Sequence, residues 1–277
     1  MPGMPQQEAR AEAFRNMHRG RLLLLPNAWD VASARIFEDG GFAAIATTSA
    51  GIAFTLGYPD GERVSRQEML TAVGRIAAAV QVPVTADVEA GYGNRPEDTA
   101  LTARAVIEAG AVGMNLEDAT GQPENPLLDL SLQIEKIKAV LEETQRSGVL
   151  IVLNARTDVY LLQVGPVERR YELALKRLAA FRDAGADCLF VPGVRDSETI
   201  RRFVVDLQHP INILGGPGSP SIPELEKLGV ARVSLGSAPM RATLGLLRRM
   251  AEELKSSGTY RTMEAAPSHA DVNRMMG

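Results

Sequence analysis

Five times in this chain a glycine is followed within one or two residues by a short apolar run: Gly41-Phe-Ala-Ala-Ile, Gly110-Ala-Val-Gly-Met, Gly148-Val-Leu-Ile-Val, Gly185-Ala-Asp-Cys-Leu and Gly229-Val-Ala-Arg-Val. A glycine so placed ends a helix in the left-handed conformation and hands the chain to a strand. The apolar periodicity agrees. Strand-length runs stand at Leu22–Pro26, Ala43–Thr47, Val84–Val88, Val112–Leu116, Leu150–Asn154, Cys188–Val191, Ile211–Leu214 and Arg232–Leu235, eight in all. Amphipathic stretches alternate with them, at about 29–39, 66–80, 96–109, 130–147, 167–184, 197–207, 222–228 and 238–255. No Ser/Gly linker interrupts the series and no Gly-x-Gly-x-x-Gly opens a helix; Gly91-Tyr-Gly93 comes closest and lacks the third glycine. The alternation therefore predicts one (β/α)8 TIM-type barrel over residues 1–277, with a C-terminal helical tail over about 238–277, rather than an open dinucleotide-binding sheet.

Composition narrows the partners. Hydrophobic residues at 45% suffice for a large core, and 30 Lys+Arg against 34 Asp+Glu give a net charge of −4, so no basic field exists to hold nucleic acid or an anionic membrane. A small molecule is the expected partner. The polar start of the chain, with Glu8, Arg10, Glu12, Arg15 and Arg19, lacks the apolar core of a signal peptide, and Leu22–Leu25 is too short to cross a bilayer. Cys188 is the single cysteine, which excludes an intrachain disulfide and a Cys-rich zinc site and fits a reducing cytoplasm. Inside the sixth strand it reads as a packed thiol. His18, His209 and His269 share no metal-ligand spacing and read as surface residues.

In a parallel barrel the chemistry sits at the C-terminal ends of the strands. Here three consecutive strands end in acids: Asp87 and Glu89 after the third, Glu117 and Asp118 after the fourth, and Arg156 with Asp158 after the fifth. Carboxylates facing one cavity repel each other unless a proton or cation lies among them, and oxygen-only ligands suit Mg²⁺ or Mn²⁺.

Pro26-Asn-Ala-Trp-Asp-Val-Ala-Ser-Ala-Arg35, Thr48-Ser-Ala-Gly51, Tyr58-Pro-Asp60, Asp87-Val-Glu-Ala-Gly-Tyr-Gly93, Asn115-Leu-Glu-Asp118 and Asn154-Ala-Arg156 stand in an order that resembles the isocitrate lyase/phosphoenolpyruvate mutase superfamily, over roughly residues 20–245. The resemblance implies a barrel whose terminal helix is often exchanged between subunits, and the Met- and Tyr-bearing tail, which the eight-unit barrel does not need, points to a homodimer or homotetramer. It also implies Mg²⁺ (Mn²⁺ as substitute) with a bound 2-oxo or 2-hydroxy acid, and cleavage of a C–C or C–P bond. By the same resemblance Asp87 is the direct metal ligand, with Asp60, Glu89 and Glu117 holding the metal's waters; Asp87, Glu89 and Glu117 form the expected metal set. Ser49, Ala50 and Gly51 resemble a loop clasping a substrate carboxylate, and Asn212 is counted with Asp87 and Arg156 among the substrate-binding residues. Arg156, Asp60 and Glu117 are the expected catalytic groups. A 2-oxo acid grips the metal through carboxylate and keto oxygens, and the metal and Arg156 stabilise the enolate left when the neighbouring bond breaks.

Departures from the resemblance refine the expectation. Members that cleave isocitrate or methylisocitrate carry a Lys-Lys/Arg-Cys-Gly-His loop after the fourth strand; this chain has Glu117-Asp-Ala-Thr-Gly-Gln-Pro-Glu-Asn-Pro126, with no Cys, His, Lys or Arg from Glu117 through Glu135. A thiol base is excluded there. The loop lysine of the phosphonate branch is also absent, Glu89 stands where an aspartate is usual, and Asn212-Ile-Leu-Gly-Gly-Pro-Gly-Ser-Pro220 replaces a Thr-Glu pair. Together these point to a Mg²⁺-dependent lyase for a small 2-oxo or 2-hydroxy dicarboxylate, of the oxaloacetate-decarboxylase kind. The alternatives are a phosphonate (C–P) mutase or hydrolase and, in another class, a non-catalytic 2-oxo acid binder.

Overall fold

The computed structural model describes residues 4–277. Its strands are β1 Leu23–Leu25, β2 Asn27–Ala28, β3 Ile45–Thr47, β4 Val84–Asp87, β5 Gly113–Glu117, β6 Val152–Arg156, β7 Cys188–Phe190, β8 Ile211–Leu214 and β9 Arg232–Ser234. The helices are α1 Met4–Met17, α2 Val31–Asp39, α3 Ser49–Thr55, α4 Arg66–Ala79, α5 Pro96–Glu108, α6 Leu130–Ser147, α7 Val167–Asp183, α8 Ser197–Leu207, α9 Ile222–Lys227, α10 Ala238–Ser256 and α11 His269–Met276. All strand pairs are parallel, in the order β1-β9-β8-β7-β6-β5-β4-β3-β2. The five join glycines all take the left-handed conformation, with φ between 78° and 105°. The result is the expected TIM-type barrel, nearly closed.

Nine strand segments replace the eight expected because the first strand is cut at Pro26. Proline has no N–H to give a ladder. β1 therefore pairs with β9 on one side of Pro26 while β2 pairs with β3 on the other. Pro26 still accepts from Ala46 N–H at 2.9 Å. Asn27 sews the seam with its side chain: its amide donates to Thr47 O (2.7 Å), and its Oδ1 accepts the N–H groups of Leu235 (2.7 Å) and Gly236 (2.9 Å).

The polar start of the chain forms α1, which periodicity did not reveal because its inward stripe is half polar. Gln7, Ala11, Phe14 and His18 are all buried, at helical spacing, across the floor of the barrel. Gln7 donates to Ile107 O (2.8 Å) and Ala111 O (3.1 Å). Phe14 passes so near Gly113 that a Cβ there would lie 2.8 Å from its ring. His18 is thus not a surface residue; only 7% is exposed, and its Nδ1 bonds Phe14 O at 2.9 Å. His209 is half-buried, with Nε2 on Ala186 O at 2.8 Å, and His269 is exposed as expected.

Above α1 the barrel interior is polar rather than filled with branched aliphatics. Asn154 donates to Asn115 Oδ1 (2.8 Å), Arg232 donates to the same oxygen (3.3 Å), and Asn212 donates to Ser234 (3.1 Å). Arg232 is fully buried, and burial pulls its pKa down to about 10. Outside the sheet, Val73, Ile76, Val106, Val140, Leu178 and Phe203 build the apolar layer between strands and helices. No helix among the described residues is long and apolar enough to cross a membrane.

Two expectations come from this architecture. Burial, reinforced by the Arg232 charge, lowers the His18 pKa from 6.5 to about 4. The unfolded chain then takes up the proton first as pH falls, so about 3 kcal/mol of stability present above pH 6.5 is lost by about pH 4. Urea midpoints measured across that range should lose this slope in His18→Gln; equal slopes would remove His18 as the cause. The second concerns α10, which buries only Met240 and exposes Leu244, Leu247 and Leu254 along one stripe. We propose that a second copy of the chain covers it, with the segment after Ala238 crossing to its neighbour. Light scattering at micromolar concentration should give at least twice 29.8 kDa. A monomeric mass sinks the idea.

Candidate active site

A cavity of about 280 Å³ opens at the C-terminal ends of β4, β5 and β6. Asp60, Glu62, Glu89, Glu117, Lys136, Arg156 and Asp158 are among its lining residues. A larger groove of about 590 Å³ lies between α5 and α6, but it faces outward from the helices and gathers no strand-end groups. Chemistry, not size, marks the site.

Strand register does most of the placing. Asp87 ends β4 beside Asn115, and its carboxylate accepts Ser49 N–H (3.1 Å) and Oγ–H (2.8 Å) on one oxygen and the Asn115 amide (3.3 Å) on the other. Glu117 and Arg156 end β5 and β6 as register partners and form an ion pair at 2.7 Å. Asp158 grips the other edge of that guanidinium in two bonds of 2.6 and 2.8 Å, and Phe190 lies under it with its ring centroid 5.7 Å away. The arginine is thereby fixed in plane and direction. Asp118 points away from the cavity and acts as a strut. It is fully buried, accepting Thr157 Oγ–H (2.6 Å), Asp158 N–H (2.9 Å) and Arg177 Nε–H (2.6 Å).

Glu89, just after β4, and Glu62, between α3 and α4, are tied through backbone donors. Glu62 N–H donates to Glu89 at 2.5 Å, Tyr92 N–H donates to Glu62 at 2.8 Å, and Tyr92 OH reaches Glu89 at 3.4 Å. Glu62, Glu89 and Tyr92 all carry left-handed φ values, of 54°, 52° and 57°. Three such non-glycine residues in one knot mark stored backbone strain at the edge of the cavity.

Charge is out of balance here. Asp60, Glu62, Glu89, Glu117 and Asp158 line the cavity and Asp87 stands beside it, with only Arg156 and Lys136 as cations in the lining. Burial, then the neighbouring Asp87, pushes the Glu89 carboxyl up to about 7. Burial also raises Glu117 well above the usual range, with Arg156 opposing, and Asp60 at the exposed lip is raised by desolvation and then by Asp87. Burial alone would lower Arg156, yet Asp158 and Glu117 hold it above its ordinary value. Lys136 is lowered by burial.

Of the residues named from the sequence, Glu89, Glu117 and Arg156 line the cavity from strand ends and Asp60 from the turn between α3 and α4, while Asp87 ends β4 beside the cavity without lining it. Asp87, Glu89 and Glu117 do not converge on one point, however. Among the described residues no three acidic, His or Cys side chains stand close enough to hold an ion together. Glu89 is turned to Glu62 N–H and Glu117 to Arg156. Ser49, Ala50 and Gly51 form the first turn of α3 rather than a loop, and the Ser49 donors are taken by Asp87. Asn212 does not line the cavity: β8 sets it beside Arg232, fully buried, with its amide on Ser234. Cys188 is buried in β7, where burial pushes its thiol up to about 11. Sequence reading missed Glu62, Tyr92 and Lys136. Lys136 had a faint signal, since Gln133 and Lys136 fall at i, i+3 on the same α6 face as Ile137 and Val140.

Comparison with known proteins fits this geometry. The phosphoenolpyruvate phosphomutase family model matches residues 14–255. An oxaloacetate decarboxylase of Pseudomonas putida is 31% identical over 265 residues, 90% of this chain and 86% of that protein. A 2-methylisocitrate lyase of Salmonella typhimurium is 27% identical, covering 87% and 83% of the two chains. A solved chain from Burkholderia cenocepacia is 39% identical, covers 98% of this chain and 96% of its own, and superposes with a TM-score of 0.92.

The strut gives the site a stability test. Asp118→Ala leaves the Arg177 guanidinium buried without its carboxylate, which should cost about 3–5 kcal/mol in urea unfolding. Adding Arg177→Met should restore part of the loss. A double variant no more stable than the single one would show that Asp118 does not work through Arg177.

Proposed function

The chain belongs to the phosphoenolpyruvate phosphomutase family, within the isocitrate lyase/phosphoenolpyruvate mutase superfamily, and from that footing we propose that it is a Mg²⁺-dependent lyase. Its substrate class is a small 2-oxo or 2-hydroxy dicarboxylate, cleaved at a C–C bond in the manner of an oxaloacetate decarboxylase. The observation that carries this reading is the charge imbalance at this end of the barrel, where five carboxylates line the cavity beside Asp87 and only Arg156 and Lys136 offset them. An anionic substrate enters such a site only together with a cation. The residues fit Mg²⁺, which keeps several waters and takes one or two protein carboxylates directly. Asp87, fixed by Ser49 and Asn115, would be the direct ligand, and Asp60, Glu89 and Glu117 would hold the ion's waters once Glu89 and Glu117 turn from their present partners. When bound, the ion supplies Lewis-acid polarisation of the substrate's oxygens.

The chain's own groups do the rest. Arg156, locked on one edge by Asp158, offers its remaining N–H groups to the carboxylate and to the oxyanion that develops as the bond breaks. Because that arginine is rigid before substrate arrives, little reorganisation accompanies the reaction. Asp60 and Glu117 are the cavity carboxyls placed to carry a proton to or from the substrate. Ala119, Thr120 and Gly121 of the loop after β5 line the same cavity and exclude water when the acid is bound. That loop has neither Cys nor His. The reading therefore departs from the thiol chemistry of isocitrate cleavage and favours a reaction that leaves an enolate without a thiol base.

A panel of 2-oxo and 2-hydroxy acids, with phosphonopyruvate included, tests the reading through pyruvate, CO₂ and phosphate release in the presence of Mg²⁺. On the acid so identified, Asp87→Asn should weaken Mg²⁺ dependence, with excess metal restoring part of the rate. Arg156→Lys should leave metal affinity intact and lower turnover by about 10²-fold or more. Cys188→Ser should leave the chemical step unchanged. Loss of turnover in a folded Cys188→Ser protein, with Asp87→Asn near normal, would replace the metal reading with a thiol one.

A further inference from the structure

The turn Val88–Gly93, which carries Glu89, is held in a conformation that two of its own residues resist. Glu89 and Tyr92 sit at φ 52° and 57°, a backbone state that persists in non-glycine residues only where the surroundings enforce it. The enforcement comes from outside the strand. Lys136 Nζ donates to Ala90 O at 2.6 Å and to Gly93 O at 3.0 Å, and Thr102 Oγ–H donates to Gly91 O at 2.7 Å. Three of four successive carbonyls are thus taken by side chains of α5 and α6.

Lys136 is 1% exposed and, among the described residues, forms no ion pair. A buried ammonium whose role was only to offset the acids would sit against a carboxylate; this one sits against backbone carbonyls. One turn earlier on α6, Gln133 donates to Glu117 O at 3.2 Å. A single helix face therefore fastens the backbone behind both acidic strand ends. α6 also begins just after the loop that lines the cavity.

We propose that Lys136 is a positioning residue for the cation-binding acids: it fastens the Ala90–Gly93 turn so that Glu89 faces the ion's water shell. This rests on the divalent-cation reading above. The two roles open to a buried lysine here predict opposite signs. As a mere counter-charge, its removal would strengthen cation binding, because one positive charge leaves a negative site. As a fastener, its removal weakens binding by releasing Glu89.

The test is Mn²⁺ titration of the full chain, unaltered, as Lys136→Met and as Thr102→Val, with amide hydrogen exchange followed over residues 88–93. Thr102→Val loosens the same turn without changing charge, and it keeps the test in hand if Lys136→Met fails to fold. Both variants should weaken Mn²⁺ binding by about tenfold, the scale of losing an outer support to a metal ligand. Both should also speed exchange at Gly91, whose N–H donates to Val88 O, and at Tyr92, whose N–H donates to Glu62. Unchanged or tighter Mn²⁺ binding in Lys136→Met would overturn the proposal, and so would unchanged binding in Thr102→Val if Lys136→Met does not fold. If the unaltered chain takes up no Mn²⁺, the cation reading fails by itself. Exchange then decides the fastening: lost protection upholds it, and unchanged protection overturns it.

Discussion

Like charges crowded at one end of a barrel are the constraint around which this molecule is arranged. Five carboxylates line a cavity with two cations and a sixth, Asp87, stands beside it, and in a poorly solvated site their repulsion would drive them outward or into their protonated forms. Three devices therefore hold five of the six. Ser49 and Asn115 hold Asp87, backbone N–H groups hold Glu89 and Glu62, and Arg156 is shared by Glu117 and Asp158. The left-handed residues and the buried Lys136 follow from the same need. They are what it takes to keep the acids near one another without letting them meet.

How much of this was legible in the sequence depended on which element carries the residue. Asp87, Glu117 and Arg156 end strands, so the alternation of apolar runs gave their position directly and the resemblance gave their company. Asn212 also lies on a strand, yet its neighbour across the register, Arg232, could not be read from either segment alone, and it turns inward to Ser234. Lys136 and Thr102 reach the site from helices outside the barrel, where a polar residue on a buried face is easily taken for a lapse in the stripe. Glu62 follows no strand; it reaches the site through a backbone bond that no spacing rule encodes. α1 was hidden for the opposite reason: its buried face is made of Gln7 and His18 as much as of Phe14.

The similarity to enzymes that cleave oxaloacetate and 2-methylisocitrate extends along nearly the whole chain, yet the loop after β5 has neither of the residue types that a thiol-based cleavage uses. The scaffold end of that loop is firmly built. Asp118, Thr157 and Arg177 anchor its base, Arg177 also donates to Leu128 O at 2.7 Å, and an antiparallel bridge joins Ala119 to Leu127. Variation in chemistry at the tip is thus separated from the stability of the barrel below it. A family can change what the loop does while leaving its base untouched.

The cut at Pro26 makes the barrel mechanically uneven. Eight backbone ladders make up the circle, but the first strand serves two of them from either side of Pro26, β1 pairing with β9 and the two-residue β2 with β3, and the side chain of Asn27 supplies the bonds across that break. A side chain can let go and re-form without unzipping a strand, so local opening costs least there. The break at Pro26 is then a built-in expansion joint. It lets the first strand flex between its β9 and β3 neighbours, while β5 and β6, across the barrel and joined by five register pairs, keep Glu117 and Arg156 together.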